Sequence, residues 1–270
     1  MQDFDFLSKL ARDAGKAILE VYETDFEVER KWDHSPVTLA DTRSHRLIAD
    51  SLRAQYPEIP VLSEEGKTVP FETRKKWNRF WLVDPLDGTK EFVKRNGEFT
   101  VNIALIEASK PVLGVIYIPV QERLFFARVG EGCWEVSNGQ KRRLEVAKWP
   151  LDGRVRIVRS RSHPSPALET ILSLMPDHLI VGRGSSLKFC AVAGGEADFY
   201  PRFGPTWEWD TAAGQAIVTA AGGIMVDPAG RPFVYNKENL LNGPFLVSSN
   251  KQWLLSSGIL ERVARMYVAG

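Results

Sequence analysis

The stretch of residues 81–92, Trp-Leu-Val-Asp-Pro-Leu-Asp-Gly-Thr-Lys-Glu-Phe, constrains this chain more than any other part of its sequence. Residues 80–83 are apolar and predict a short buried strand, so Asp84 should leave the strand end in a fixed direction. Asp87 follows three positions later, and Pro85 fixes a backbone angle between the two acids. The sequence therefore predicts two carboxylates that can face one point at the end of a buried strand.

The turn after these acids is suited to binding an anion. Gly88 lets the chain turn closely, and Gly88 and Thr89 are predicted to open a helix whose first N–H groups have no helical partner. Such groups bind phosphate readily. On this motif alone an ordinary polar turn is an equal alternative, because Asp-Gly is a frequent turn dipeptide.

Two further segments place an acid at the end of an element. Residues 59–63 read as a strand that ends at Glu64 and Glu65, and Asp210 stands at the start of an Ala-rich helix, where it could equally be a cap. Acidic residues at the ends of three elements in one chain are typical of a functional site. None of the four histidines has a partner at metal-ligand spacing, so a metal here would be bound by oxygen. Oxygen ligands favour a hard cation, Mg²⁺ before Mn²⁺ or Ca²⁺.

Asp41 has a structural interpretation of its own. Thr38 is predicted to cap a helix that runs to about Gln55, and an acid in the first helical turn is favoured by the helix dipole. From the residues alone, helix capping is therefore the preferred interpretation of Asp41, and a catalytic role is the second.

A second candidate anion site lies in the second half of the chain. Gly184, Ser185 and Ser186 would expose N–H groups at a helix start, the two hydroxyls would add donors, and Lys188 would supply charge. A plain N-cap explains the same residues equally well.

Composition narrows the classes of function. The chain of 270 residues carries 35 basic and 34 acidic residues, a formal net charge of +1, so no overall field favours nucleic acid or a membrane surface. Cys133 and Cys190 are far apart in sequence, which is typical of buried free thiols in a reducing compartment. The N-terminus has no signal-peptide pattern, and no run of about 18 apolar residues occurs. We therefore expect a soluble cytoplasmic protein, monomeric or homodimeric, with no nucleic-acid polymer as partner and no integral membrane segment; peripheral contact with the inner membrane is left open.

The first half of the chain is predicted to pack helices on a largely antiparallel sheet. Apolar residues at helical spacing predict a helix over residues 3–23, and a loose alternation predicts a strand over residues 24–35. Short strands separated by turn signals follow over residues 99–146, with Asn138 and Gly139 as the strongest hairpin signal.

The second half alternates strands with helices. Strands are predicted at 155–160 and 179–182, and helices at 165–174 and 185–193. We therefore expect an α+β chain with an N-terminal α+β subdomain over residues 1–150 and a C-terminal α/β subdomain over residues 151–270.

Together these motifs resemble the inositol monophosphatase superfamily of Mg²⁺-dependent, lithium-sensitive phosphatases. The resemblance rests on Glu64 and Glu65, residues 84–89 and residues 209–214, and it extends over nearly the whole chain. It implies a layered αβαβα sandwich of the inositol monophosphatase and fructose-1,6-bisphosphatase type, with two closely packed subdomains.

Within that superfamily the chain resembles the CysQ-type 3'(2'),5'-bisphosphate nucleotidases. This resemblance is carried by residues 90–92, 94–102, 184–189 and 200–206. Inositol monophosphatases usually carry Thr-Asn-Phe where this chain has Lys-Glu-Phe at 90–92, and a glycine where it has Ser63. The resemblance implies removal of the 3'-phosphate of adenosine 3',5'-bisphosphate in sulfur assimilation, with 3'-phosphoadenosine 5'-phosphosulfate as a second candidate substrate.

The resemblance also implies roles for the site residues. The ligands of two or three Mg²⁺ ions would be Glu64, Asp84, the Leu86 carbonyl, Asp87 and Asp210. Thr89 and Glu64 would orient the attacking water. Asp41 would assist metal binding or proton transfer, which reverses its interpretation as a cap.

The substrate side is assigned by hypothesis. The N–H groups of Gly88 and Thr89 would bind the reacting phosphate. The remaining candidates for nucleotide contacts are Lys90, Gly184, Ser185, Ser186, Lys188, Arg202 and Asp210. Trp149, Trp207 and Trp253 are interpreted as packing residues. Two alternatives stay open: a related phosphatase acting on inositol phosphates or fructose 1,6-bisphosphate, and a non-catalytic protein that senses the bisphosphate nucleotide.

Overall fold

The chain folds into two β-sheets that are separated and flanked by helices. The computed structural model describes residues 2–30, 36–148, 154–160, 166–173, 175 and 177–268. The helices are α1 (Gln2–Tyr22), α2 (Leu39–Gln55), α3 (Phe71–Arg74), α4 (Thr89–Val93), α5 (Pro166–Ser173), α6 (Leu187–Ala193), α7 (Glu208–Ala220), α8 (Lys251–Ser256) and α9 (Ile259–Val268). The strands are β1 (Glu29–Arg30), β2 (Pro36–Val37), β3 (Val61–Ser63), β4 (Arg79–Asp87), β5 (Thr100–Glu107), β6 (Lys110–Ile118), β7 (Arg123–Arg128), β8 (Gly132–Ser137), β9 (Gln140–Leu144), β10 (Val155–Ser160), β11 (His178–Arg183), β12 (Phe199–Arg202), β13 (Thr206–Trp207), β14 (Ile224–Val226), β15 (Leu241–Asn242) and β16 (Phe245–Ser248).

The larger sheet is a near-continuous meander with the strand order β3-β4-β5-β6-β7-β8-β9. Strands β3 and β4 are parallel, and every later neighbouring pair is antiparallel. On β4, Phe80 and Leu82 face one core cluster and Trp81 and Val83 face another. Because both faces of β4, β5 and β6 are buried, these strands read as largely apolar runs in the sequence.

The smaller sheet is mixed. Its strand order is β11-β10-β12-β16-β14, in which β10 runs parallel to β11 and β12, and β16 runs antiparallel to β12 and β14. Two separate two-stranded pairs, β1 with β2 and β13 with β15, complete the described strands.

The helices form three layers around these sheets. Helices α1 and α2 pack on one face of the larger sheet, α6 and α7 lie between the two sheets, and α5, α8 and α9 cover the outer face of the smaller sheet. The result is the αβαβα sandwich that the family resemblance implies.

Helix α7 lies unusually close to the larger sheet. A Cβ added to Gly114 on β6 would stand 2.5 Å from the Ala213 carbonyl oxygen, and one added to Gly214 would stand 2.3 Å from the Phe189 ring of α6. The absence of side chains at these two glycines therefore allows α7 to approach both neighbours. This packing fixes the helix that begins beside Asp210.

Most predicted elements are found, and one is found in part. Of the strand predicted over residues 24–35, the described residues 24–28 are not in a strand, and Glu29–Arg30 form β1, which pairs with β2. Residues 31–35 lie outside the described part of the chain. The hairpin at Asn138 and Gly139 is confirmed: both residues have positive φ, 50° and 72°, as a type I′ loop requires. None of the described helices has the length and apolar character needed to span a bilayer.

Candidate active site

A cavity of about 590 Å³ opens where the end of β4 meets the first residues of α4 and α7 and the segment before α6. Nearly all the residues singled out in the sequence line it. They are Glu64, Asp84, Leu86, Asp87, Gly88, Thr89, Lys90, Ser185, Ser186, Lys188, Arg202 and Asp210. Four chain segments that are distant in sequence thus supply one cavity.

An irregularity in β4 lies between its two carboxylates, Asp84 and Asp87. The ladder to β5 pairs Asp84 with Asn102, breaks over the next two residues, and resumes with Asp87 opposite Thr100. Within the break, the Leu86 N–H donates to Asp84 Oδ1 at 3.1 Å. This bulge turns the end of a buried strand into a rigid loop, and Asp84 is only 1% exposed there.

The acids of the cavity repel one another. Burial, followed by the charges of Glu64, Asp87 and Asp210, raises the pKa of Asp84 well above its ordinary value. Burial, followed by the charges of Asp87 and Glu64, does the same to the pKa of Asp210. Burial also raises the pKa of Asp87, although Lys188 opposes that rise. A cluster of this kind is stabilised by an added positive charge.

The residues present fit a hard cation by charge and by donor type. Among the described residues that line the cavity there is no His or Cys, and the acids offer carboxylate oxygens. Among the described residues, no three acidic, His or Cys side chains already surround one point as metal ligands do. Two of the carboxylates accept hydrogen bonds from protein donors: Asp87 Oδ2 accepts from Ser185 Oγ at 2.6 Å, and Asp210 Oδ2 accepts from Trp207 N at 2.8 Å.

Asp41 does not line the cavity, but it is linked to it through Thr89. Its Oδ2 accepts hydrogen bonds from the backbone N–H and the hydroxyl of Thr38, both at 2.7 Å. The bond from the Thr38 N–H is one half of the capping box of α2, and the Asp41 N–H donating to the Thr38 side chain is the other half. Its Oδ1 accepts from the Thr89 hydroxyl at 3.2 Å. The capping interpretation and the active-site interpretation of Asp41 are therefore compatible.

The wall opposite β4 is formed by the residues before α6. The Thr100 hydroxyl lies 2.8 Å from Ser185 Oγ and 2.7 Å from Ser186 Oγ, and Ser186 also donates to Asn102 Oδ1 at 2.8 Å. The serine hydroxyls thus join α6 to the ends of β4 and β5. Lys188 Nζ donates to the Ser185 carbonyl.

Two of the predicted substrate contacts make hydrogen bonds within the protein. The Gly184 N–H donates to Glu98 Oε2 at 2.7 Å, and Gly184 is not among the residues that line the cavity. Arg202 donates to the carbonyls of Gly204 and Pro205, both at 3.3 Å. It is half-buried and tied to the loop that leads into β13.

Sequence reasoning missed part of the supporting structure. Thr100 and Asn102 are buried polar residues that hold the two serines, and Trp207, interpreted as a packing residue, lines the cavity. The polar side chains of Thr100 and Asn102 interrupt an otherwise apolar strand, and that interruption was the available signal. Nothing in the sequence separates Trp207 from the other tryptophans.

The chain is similar in sequence to known proteins. The sequence profile of the Inositol monophosphatase family matches residues 2–264. The 3'(2'),5'-bisphosphate nucleotidase CysQ of Escherichia coli (strain K12) is 49% identical over 249 residues, which cover 90% of this chain and 98% of that protein. The protein of the same name from Haemophilus influenzae is 35% identical, with 90% and 91% covered.

The chain is also similar to solved structures. CysQ from Bacteroides thetaiotaomicron, described as a bacterial member of the inositol monophosphatase family, is 40% identical with a TM-score of 0.79, covering 91% of this chain and 97% of that one. An IMPase from Thermotoga maritima is 26% identical with a TM-score of 0.81, covering 98% and 99%.

Proposed function

Because the chain belongs to the inositol monophosphatase family, we propose that its cavity is the active site of a metal-dependent 3'(2'),5'-bisphosphate nucleotidase. The reaction is hydrolysis of the 3'-phosphate of adenosine 3',5'-bisphosphate to give AMP and inorganic phosphate. The observation that carries the proposal is the meeting of Glu64, Asp84, Asp87 and Asp210 in a cavity that also holds Lys188. The high identity to the CysQ nucleotidases supports the choice of substrate.

Four carboxylates alone would repel a phosphate dianion, so the site requires a cation. Glu64, Asp84, Asp87 and Asp210, with the Leu86 carbonyl, are the proposed ligands of Mg²⁺, whose number we leave at two or three. When bound, Mg²⁺ would lower the pKa of a water molecule and neutralise phosphoryl oxygens. The charge repulsion within the cluster favours this binding, because each metal ion relieves it.

The protein's own groups would orient the water. The Thr89 hydroxyl donates its proton to Asp41 Oδ1, so its lone pairs can accept a hydrogen bond from a water molecule. Glu64 lines the same cavity and would accept a hydrogen bond from the other O–H group of that water. Asp41 is itself fixed by two hydrogen bonds from Thr38, so the Thr89 oxygen is held in place.

The cations of the cavity would bind the second phosphate. Burial lowers the pKa of Lys188 to about 8, and the Asp87 charge works against that fall, so Lys188 is mostly protonated at neutral pH. Arg202 faces the same cavity, and Lys90 is exposed at its edge. Lys188 and Arg202 are therefore the proposed partners of the 5'-phosphate.

The first experiment measures phosphate release from adenosine 3',5'-bisphosphate and from inositol 1-phosphate, with Mg²⁺, with EDTA and with added Li⁺. We expect strong preference for the nucleotide, loss of activity in EDTA and inhibition by Li⁺. Preference for the inositol ester would retain the metal site and reject the nucleotidase assignment. No release from either substrate would favour a non-catalytic binding protein.

The metal assignment is tested by Asp87→Asn. We expect turnover to fall by about 100-fold or more, since loss of even an outer partner of a metal site costs 10- to 100-fold. The exposed Asp50, replaced by Asn, is the matched control and should keep full activity. Circular dichroism checks that both variants are folded. A folded Asp87→Asn protein with normal turnover would contradict the assignment.

A further inference from the structure

Among the described residues that line the cavity, one aromatic residue is not fully buried. Among the described residues that line it, the aromatic ones are Phe189, Tyr200, Trp207 and Phe245. Phe189, Tyr200 and Phe245 are buried, with exposed fractions of 2%, 3% and 0%. Trp207 is partly exposed. It is therefore the aromatic residue of the described lining that packing does not close off.

The Trp207 ring is supported from behind. It stacks on Trp209 with the ring centroids 5.3 Å apart and the planes only 13° from parallel. Trp209 in turn packs against the core between the two sheets. Since Trp209 packs on one face of the Trp207 ring, the opposite face is the one on which a ligand can stack. A ring supported in this way is a preformed flat surface.

The backbone of Trp207 is fixed on both sides. Its N–H donates to Asp210 Oδ2 at 2.8 Å, and its carbonyl accepts from Asn242 Nδ2 at 2.8 Å. Strand β13, which contains Trp207, pairs with β15, and the N–H of Glu208 donates to the Leu240 carbonyl at 3.0 Å. The ring thus keeps a fixed position relative to Asp210, one of the proposed metal ligands.

The buried network beneath this backbone adds to its rigidity. Glu208 is 0% exposed and accepts hydrogen bonds from the N–H groups of Asn236 and Lys237 and from Lys237 Nζ. Lys237 Nζ also donates to Asn242 Oδ1 at 2.9 Å. The residues on either side of Trp207 are therefore held by groups that do not face the cavity.

From this arrangement we propose that Trp207 is the stacking surface for the nucleobase and a specificity-determining residue of the site. This inference rests on the proposed nucleotidase function. The proposed metal ions and the cationic side chains of the cavity would bind the phosphate group, which every phosphate ester has. They therefore do not select a nucleotide. Only a ligand with a π face gains from an accessible indole, and stacking on an aromatic side chain stabilises any base. Trp207 would thus favour nucleotides over phosphate esters that lack a base.

The direct test compares the binding of AMP and ribose 5-phosphate, which differ only in the base. Isothermal titration is carried out on the wild type, Trp207→Leu and Trp207→Tyr. Leucine keeps apolar bulk but removes the π face, whereas tyrosine keeps an aromatic face. We expect Trp207→Leu to weaken AMP binding by about 5- to 150-fold, the range that one base-aromatic stack provides, and to leave ribose 5-phosphate unchanged. Trp207→Tyr should retain most of the AMP affinity.

Kinetics give a second readout. Trp207→Leu should raise KM for adenosine 3',5'-bisphosphate by a similar factor with little change in kcat, because the base does not react. Trp134, on β8 at the opposite side of the larger sheet, provides the control variant Trp134→Leu, which should change neither value. If Trp207 had a structural role instead, Trp207→Leu would weaken the binding of both ligands, or change both kcat and KM, and would also lower the thermal stability.

The outcomes separate this inference from the function on which it rests. If the wild type prefers the nucleotide and Trp207→Leu keeps that preference, the stacking role is wrong and the nucleotidase function stands. Equal weakening of AMP and ribose 5-phosphate would also contradict it. If the wild type shows no preference for the nucleotide, the proposed function fails first.

Discussion

At the scale of single residues, the site is built from groups that serve two purposes. Asp41 completes the capping box of α2 with one carboxylate oxygen and receives the Thr89 hydroxyl with the other. Asp210 likewise receives the Trp207 N–H at the start of α7. Since a cap and a catalytic acid need the same residue type at the same place, position along the chain could not decide between the two roles.

The two cysteines give a prediction at this scale. Burial, followed by the charge of Glu135, raises the pKa of Cys133 to about 12, and burial raises the pKa of Cys190 well above its ordinary value. At pH 8 the thiolate fraction of Cys133 is then about one in ten thousand, and both thiols are buried. We expect neither thiol of the native protein to react with a disulfide reagent within minutes.

Colour release from the reagent 5,5'-dithiobis(2-nitrobenzoate) measures this reactivity. The same protein in concentrated guanidinium chloride is the control and should release two equivalents, matching the two cysteines in the sequence. Rapid release from the native protein would show that the strands around Cys133 or the helix around Cys190 open readily.

Residue chemistry was the most predictable part of the site. The carboxylates, Thr89 and Lys188 were identified because their types and their positions at element ends indicate metal and phosphate chemistry. The contact of Ser185 with Asp87 and the bond from Gly184 to Glu98 were not predictable. They join residues 86 or more positions apart, and only the packing of the two sheets sets such distances.

At the scale of elements, the glycines of α7 and β6 carry a second prediction. Gly114→Ala places a Cβ 2.5 Å from the Ala213 carbonyl oxygen and 2.9 Å from the Ala216 Cβ, and the backbone of a buried helix cannot yield easily. We expect the free energy of unfolding to fall by about 1–3 kcal/mol, the usual cost of overpacking, even though alanine is otherwise no worse than glycine in a strand.

Urea denaturation followed by circular dichroism measures that change. Gly243→Ala is the matched control, because an added Cβ there meets nothing within 4 Å and Gly243 has no positive φ. Its unfolding free energy should stay within about 0.5 kcal/mol of the wild type. Equal effects at both positions would mean that the close approach of α7 does not limit stability.

Elements with clear turn signals were predictable, and their arrangement was only partly so. The order of the larger sheet follows the chain, because strands β5 to β9 are joined by short turns and pair with their neighbours. The order of the smaller sheet does not follow the chain, since β16 inserts between β12 and β14. Nothing local to β16 specifies that insertion, which buries both of its faces against residues from elsewhere in the chain.

At the scale of the whole molecule, the core between the sheets is shared by both halves of the chain. Leu82 and Phe125 of the larger sheet lie in one cluster with Phe189 of α6, Ile217 of α7 and Val247 of the smaller sheet. Arg74 adds a polar link, since its guanidinium donates to the carbonyls of Lys237 and Glu238. The halves 1–150 and 151–270 therefore depend on each other for burial.

This sharing predicts that residues 1–150 do not form a stable domain alone. In that fragment α1 and α2 still cover one face of the larger sheet, but the face that packs against α6 and α7 is exposed. A sheet with one uncovered apolar face loses cooperativity and aggregates or stays loosely packed. We expect the fragment to bind the dye ANS and to unfold in urea without a sharp transition, whereas the full chain unfolds in one transition by both circular dichroism and tryptophan fluorescence.

Mixing the fragment with residues 151–270 during refolding should restore the sharp transition, because it restores the missing layer. A fragment that unfolds cooperatively by itself would show instead that the boundary near residue 150 separates two independent domains.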